Sequence, residues 1–448
     1  MAETKIIVLD DDPTGSQTVH SCLLLTRWDC ATLREAILDP SPLFFVLTNT
    51  RGMAAQPAAG ITLEVCHNLK RALSELKANG REINPILVSR SDSTLRGHYP
   101  VETDVIAEEL GPFDAHFLVP AFFEGGRITR NSIHYLLVNG RYTPVHETEF
   151  AKDSVFGYHH SFLPDYVEEK TSGRIKAARV ERFLLKDVRA DCLPRLLGLH
   201  DNVCAVVDAE TQSDLDHFAK QLRLAAAQGK RFLFRSAASL LTALVGLPAQ
   251  PVPAQDMARY VRHGKPGAVI VGSHVNKTTV QLQQLLKMPG VTAIEVNVDR
   301  LPAQREALLA DMVAQCTQSH VAGNTPVVFT SRLEKAFPDQ ATRLAFGETV
   351  SAFLMDVVRN LPPTLGFLIS KGGITSNDVL SSGLTLRTSR VVGQILPGCS
   401  VVCCPADHPR YPDLPVVIFP GNVGDELAMA TVYARLTGIN NTEKSSVC

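Results

Sequence analysis

Ile6-Ile7-Val8-Leu9-Asp10-Asp11-Asp12-Pro13-Thr14-Gly15 decides the reading of this chain. Four consecutive apolar, mostly β-branched residues mark a strand buried on both faces, and Pro-Thr-Gly ends it. Such a strand belongs to a parallel sheet. In an open α/β sheet, ligands bind beyond the carboxyl ends of the strands, which is where Asp10, Asp11 and Asp12 fall. Three adjacent carboxylates cannot all be buried and ionised alone, because desolvation and repulsion both oppose it. They call for a cation, an arginine or the hydroxyls of a ligand; a solvated acidic turn is the bland alternative.

The pattern repeats along the chain. Further strands are expected at Leu43–Leu47, Ile86–Val88, His116–Val119, Val203–Val207 and Arg231–Phe234, with a helix over Ile61–Leu76 between the first two of these. A Pro-rich passage, Pro248 to Asp256, reads as a linker. Beyond it come strands at Ala268–Val271, Val291–Val298, Val327–Phe329, Gly366–Ile369 and Val416–Phe419, and a last helix over Gly424–Leu436, followed by a polar tail. The expected fold class is α/β, in two domains covering residues 1–250 and 257–448. Each is a mostly parallel sheet flanked by helices, with the active site in the cleft between them.

Composition narrows the function. Lys and Arg number 44 against 46 Asp and Glu, a net charge of −2, which points away from a nucleic-acid partner and from an anionic membrane surface. No apolar run approaches the roughly 18–20 residues that cross a bilayer. Met1-Ala2-Glu3-Thr4-Lys5 has none of the features of a secretory signal, and the ten scattered cysteines have no zinc spacing. A cytoplasmic protein with reduced thiols is expected.

Each chemically loaded segment follows an expected strand. Thr48-Asn49-Thr50-Arg51-Gly52 comes after the second, and Ser89-Arg90-Ser91-Asp92-Ser93-Thr94-Leu95-Arg96-Gly97 after the third. Guanidinium groups take carboxylates bidentately, and Asp with Ser accepts from and donates to sugar hydroxyls, which suits a small acidic polyol. A capping turn with surface ion pairs is the plainer reading of either segment alone. Pro120-Ala-Phe-Phe-Glu124-Gly125-Gly126-Arg127 follows the fourth strand, and Asn139-Gly140 reads as a hairpin turn. His159-His160 lacks a third ligand at metal spacing. The second half holds three glycine turns: Gly272-Ser273-His274, Lys371-Gly372-Gly373-Ile374-Thr375-Ser376 and Pro420-Gly421-Asn422-Val423-Gly424-Asp425. Glycine lets backbone N–H groups approach a phosphate, although one such turn is more often a simple connection. None is a P-loop or a dinucleotide fingerprint.

In this order the aspartate turn, Thr48–Arg51, Ser91–Gly97, Gly372–Ser376 and Gly421–Gly424 resemble the four-carbon acid sugar kinases, the family also called domain of unknown function 1537. The resemblance spans nearly the whole chain. It implies an N-terminal acid-sugar-binding domain, a C-terminal nucleotide-binding domain, and phosphorylation of the 4-hydroxyl of threonate, erythronate or 3-oxo-tetronate by ATP with Mg²⁺. Substrate would be held by Asp11, Arg51, Arg90, Ser91, Asp92 and Ser93. ATP would lie on Ser273, on Gly372, Gly373, Ile374 and Thr375, and on Gly421 and Gly424. Arg51 and Arg90 would clamp the carboxylate, with Asp12, then Asp92, as candidates for the catalytic base; the metal ligands stay open. Pro13 after a third aspartate, Arg90, His274-Val275, and the segments Asp153–Arg174 and Pro405–Leu414 depart from the family pattern, leaving the particular acid sugar open.

Two rival readings stand beside this one. Asp10-x-Asp12-x-Thr14 also matches a haloacid-dehalogenase-like phosphatase with Asp10 as nucleophile, but no second late carboxylate follows Asp425 over Leu427–Ala430. A catalytically silent binder of acidic metabolites would not need three glycine turns. A homodimer is expected, with exchange of domains conceivable.

Overall fold

The computed structural model describes residues 3–332, 337, 339–421 and 423–439. Asn422 of the last glycine turn and the tail beyond residue 439 lie outside the described residues. Contacts divide the chain into two compact units, Met1–Ala249 and Gln250–Cys448.

The first unit contains strands β1 (Glu3–Asp10), β2 (Cys22–Leu25), β3 (Leu43–Leu47), β4 (Ile83–Arg90), β5 (Ala115–Val119), β6 (Arg127–Arg130), β7 (Ile133–Val138), β8 (Arg141–Pro144), β9 (Glu181–Phe183), β10 (Val203–Val207) and β11 (Phe232–Ser236). Its main sheet runs β2-β3-β1-β4-β11-β5-β10-β9, and every neighbouring pair is parallel. The chain leaves β1 toward one side of the sheet and returns to place β4 on the other, so β1 is the switch point. A crevice opens beyond the strand ends at such a point. Register brings Asp10 opposite both Leu47 and Arg90, so the three strands end level.

Ile7, Leu9, Phe44 and Val46 pack on the helix Ala55–Ala78 through Val65, Cys66, Leu69, Ala72 and Leu76, a stripe at helical spacing. That helix starts six residues before the expected Ile61, since Pro57 is tolerated in a first turn. The strands β6, β7 and β8 form a separate antiparallel sheet. Asn139 (φ 50°) and Gly140 (φ 77°) make the tight turn expected of them.

The second unit contains β12 (Ala268–Val271), β13 (Val291–Val296), β14 (Thr325–Thr330), β15 (Leu368–Lys371), β16 (Thr388–Leu396), β17 (Cys399–Cys403) and β18 (Pro415–Phe419), in the order β13-β14-β12-β15-β18-β17-β16. The pairs from β13 to β18 are parallel and the last two antiparallel. Here the switch lies between β12 and β15, where Val271 stands opposite Lys371.

Several expectations are corrected. The last helix starts at Ala428, not Gly424, because Gly424 sits at φ 80° in the preceding turn. The antiparallel strands β16 and β17 are additional to the expected ones: β16 alternates regularly in burial, but Ser389 and Gly393 fill buried positions while Val392 and Leu396 are half-buried, so the residue types show no apolar alternation. Strands β4, β11 and β15 each run two residues past their expected ends, into Ser89-Arg90, Arg235-Ser236 and Ser370-Lys371. Among the described residues no helix is long and apolar enough to cross a membrane.

Candidate active site

Asp10, Asp11 and Asp12 leave the end of β1 in three different environments. Asp10 is fully buried, 3.3 Å from Arg90 Nη1, and its Oδ2 has no hydrogen-bond partner among the described residues. Burial pushes its carboxyl up to about 7 despite Arg90. Asp11, also buried, accepts from Arg51 Nε at 3.2 Å and from Arg51 Nη2, and receives the Ser91 hydroxyl at 3.0 Å. Asp12 is half-buried, accepts from the Thr14 N–H at 2.9 Å and the Thr14 hydroxyl, and lies 3.4 Å from Arg51 Nη1. Burial opposes its ionisation, but Arg51, Arg90 and Thr14 outweigh that and hold the carboxyl below the usual range.

The turn after β4 folds against this cluster. Gly97 has φ 120°, and a Cβ there would lie 2.5 Å from Ser91 Oγ and 2.7 Å from Arg235 Nη2. Only glycine lets the turn come this close. Asp92 is half-buried and accepts from Arg96 Nε at 2.7 Å and from the Thr94 hydroxyl. Despite its burial, Arg96, Arg51 and these hydrogen bonds keep its carboxyl strongly acidic. Ser93 is buried and its carbonyl accepts from His134 Nε2 at 2.8 Å. Burial lowers His134 to about 4, so the ring is neutral with its proton on Nε2. Tyr158 and Tyr166 donate to the carbonyls of Thr94 and Leu95 at 2.7 and 2.8 Å. The segment Asp153–Arg174, set apart in the sequence, thus supports this turn.

Two residues of the cluster were missed from sequence. Arg235, at the end of β11, donates to Ser89 Oγ and Ser91 Oγ at 2.7 Å each and pairs with Glu102, which also receives the Thr50 hydroxyl. Buried guanidinium and carboxylate side chains at strand and helix ends are the signal, but neither stands within a recognisable motif. Beside the cluster is a pocket lined by Ser91, Asp92, Arg96, Pro120, Tyr166 and Arg235.

In the second unit the three glycine turns come together. A Cβ on Gly372 (φ 116°) would lie 3.2 Å from both Ser273 Cβ and Thr375 Oγ1, and one on Gly421 would lie 3.6 Å from Ser273 Oγ. Thr278 donates toward Ser273 Oγ and the Gly421 carbonyl, both at 3.3 Å. Gly373 to Asp378 form a short helix with Ile374 exposed, and Thr375 is nearly buried. Gly424 packs on Ala428, while Gln281 Nε2 holds the carbonyls of Val423 and Asp425 at 3.0 and 2.6 Å. Lys371, unassigned in the sequence reading, is fully buried, donates to the Pro420 carbonyl at 2.7 Å and lies 3.9 Å from the Phe419 ring centre. Its ammonium ties the second turn to the third. The lack of a side chain at Gly372 lets the second turn close against Ser273 and Thr375, and a glycine turn of this kind presents backbone N–H groups that suit an oxyanion. Among the described residues no three His, Cys, Asp or Glu side chains gather as a metal site.

A sugar-binding N-terminal domain family matches residues 6–244, and a nucleotide-binding C-terminal domain family matches residues 268–429. A D-erythronate kinase of Heliobacterium modesticaldum is 28% identical over 225 residues, 48% of this chain and 47% of that protein. The chain belongs to the four-carbon acid sugar kinase family. It spans about half the length of the curated relative it matches. Among solved structures, this kinase-family chain superposes on a Salmonella typhimurium LT2 protein with a TM-score of 0.68 at 19% identity, covering 96% of this chain and 98% of that one. A Haemophilus influenzae protein of the domain-of-unknown-function 1537 family gives 0.62 at 19% identity, covering 96% and 100%. These likenesses show the two-domain α/β fold.

Proposed function

We propose that the chain transfers the γ-phosphoryl group of ATP to the 4-hydroxyl of a four-carbon acid sugar, D-threonate, D-erythronate or a 3-oxo-tetronate. The observation that carries this reading is the division of labour between the units. The first gathers carboxylate, guanidinium and hydroxyl groups suited to an acidic polyol, and the second gathers three glycine turns around Ser273 suited to phosphates. The match to a D-erythronate kinase supports the substrate class.

In this reading Asp12, half-exposed and oriented by Thr14, faces the attacking hydroxyl and takes its proton. A carboxylate this acidic is a weak base, but phosphoryl transfer needs little base assistance before the bond to phosphorus has largely broken. Asp92, more strongly stabilised as the anion, serves better to accept hydrogen bonds from substrate hydroxyls, together with Ser91 and Ser93. Asp11 is occupied by Arg51, which also reaches Asp12, so the Asp11–Arg51 pair orients the Asp12 carboxylate. Backbone N–H groups of Gly372, Gly373, Ile374 and Thr375, with Ser273, Gly421 and Gly424, would hold the phosphates. Mg²⁺ would neutralise phosphate charge when bound with the nucleotide. We place the reaction in the cytoplasm, in keeping with the unbonded state of the described cysteines, and take the active species to be a homodimer.

The phosphatase reading is not favoured by the geometry. Asp10 is fully buried, and a Cβ on Gly15 would lie 1.9 Å from its Oδ2, so no phosphate ester reaches it. ADP formation from ATP and Mg²⁺ across the threonates, erythronates and 3-oxo-tetronates tests the proposal. Acid-dependent ADP with one of them supports it. ADP formation independent of every acid, or none at all, overturns it.

A further inference from the structure

The guanidinium groups around the first site can be accounted for one by one. Arg51 is held by Asp11 and Asp12, Arg90 by Asp10, Arg96 by Asp92, and Arg235 by Glu102. Arg51 of the expected carboxylate clamp is therefore already occupied from within the chain, and Arg90, whose Nε has no acceptor among the described residues, is buried beside Asp10. Arg127 differs. It stands where the turn after β5 becomes β6, fixed by its N–H to the Phe122 carbonyl at 2.8 Å and by its carbonyl to the Phe122 N–H at 3.0 Å. The turn is anchored at the carboxyl end of β11, where Phe123 N–H donates to Ser239 Oγ at 3.1 Å.

The Arg127 guanidinium is part-buried, 5.9 Å from the Phe122 ring centre, and donates through Nη1 to the Gly125 carbonyl. Its Nε is buried and has no acceptor, and no carboxylate pairs with it among the described residues. Asp92 and Arg96 are near enough to influence its charge in opposite senses. Burial disfavours the bare cation there, a cost that a neighbouring anion would offset. A desolvated guanidinium lacking an anion is costly, and a planar carboxylate offers the two oxygens that fit its geometry.

We propose that Arg127 binds the carboxylate of the substrate, which makes it the residue that selects a small hydroxy acid over the neutral polyol of the same length. This assignment rests on the acid-sugar reading of the site. It leaves Arg51 as a positioning residue for Asp11 and Asp12.

The experiment compares binding of D-erythronate, D-threonate, L-erythronate, L-threonate and neutral erythritol to wild type, Arg127→Gln and Arg127→Lys by calorimetry, without nucleotide. Wild type should prefer an acid over erythritol. Arg127→Gln should lose that preference, weakening acid binding by on the order of 10²-fold with erythritol unaffected, and Arg127→Lys should restore part of it. An unchanged melting temperature and unchanged binding of an ATP analogue show that the variants fold. Wild-type preference retained in Arg127→Gln overturns the assignment, as does a wild type that binds no acid. Acid binding that depends on Arg127 without any phosphoryl transfer would instead sink the kinase proposal and leave this assignment standing.

Discussion

Arg51 and Asp11 form a two-point ion pair, Nε to Oδ2 at 3.2 Å with Nη2 on Oδ1, while the third nitrogen of Arg51 reaches Asp12 at 3.4 Å. The pair sets the geometry of the whole aspartate turn. Removing one partner strands a buried charge, whereas removing both does not. Arg51→Met should cost about 3 kcal/mol in urea unfolding, and Arg51→Met with Asp11→Leu appreciably less than the two single costs added. Additive costs would show that the pair is not coupled.

Asp10 gives the fold a pH signature. Its carboxyl is raised from 3.8 to about 7, so between those values the folded chain binds a proton that the unfolded chain has released. Stability contributed by this group therefore falls as pH rises from about 4 to about 7, by up to about 4 kcal/mol for a shift of this size. Asp10→Asn should gain stability relative to wild type across that window. Parallel unfolding curves for the two proteins from pH 4 to 7 would refute the buried-acid account.

Lys371 should show the opposite slope. Burial lowers its ammonium from 10.5 to about 7, so the unfolded chain holds the extra proton between those values. Stability then rises with pH across that window, and Lys371→Met should abolish the rise. The same variant removes the tie to the Pro420 carbonyl, so the affinity for an ATP analogue should also fall. A variant that binds the analogue normally would separate Lys371 from the nucleotide site.

The strand core was legible in the sequence, and the site was legible up to its charged edge. Leu43–Leu47, Val203–Val207 and Ala268–Val271 end where their apolar runs end. The strands β4, β11 and β15 do not, because Arg90, Arg235 and Lys371 continue them in buried positions. Each has a partner inside the protein: Asp10, Glu102 and the Pro420 carbonyl. A charge reads as a strand end when its partner lies far away in sequence, as Glu102 does from Arg235. The aspartates and the three glycine turns were found because each is a local pattern. The commitment of Arg51 to Asp11 was not, since a sequence cannot show which anion an arginine meets.

Gly97 tests how closely the turn after β4 must approach. An alanine there would strain φ 120° and press on Ser91 Oγ and Arg235 Nη2. Gly97→Ala should destabilise by about 2 kcal/mol or more and weaken acid-sugar binding while sparing the ATP analogue. Normal acid binding would mean that the turn can move aside.

The central claim is transfer of the γ-phosphoryl group to the terminal hydroxyl of a four-carbon acid, and proton-coupled ³¹P NMR of the reaction mixture tests it most directly. The account predicts a new phosphomonoester signal split into a triplet by the two C4 protons, growing with ADP and lost in Asp12→Asn. A doublet, from a secondary hydroxyl, or inorganic phosphate as the sole product would contradict it.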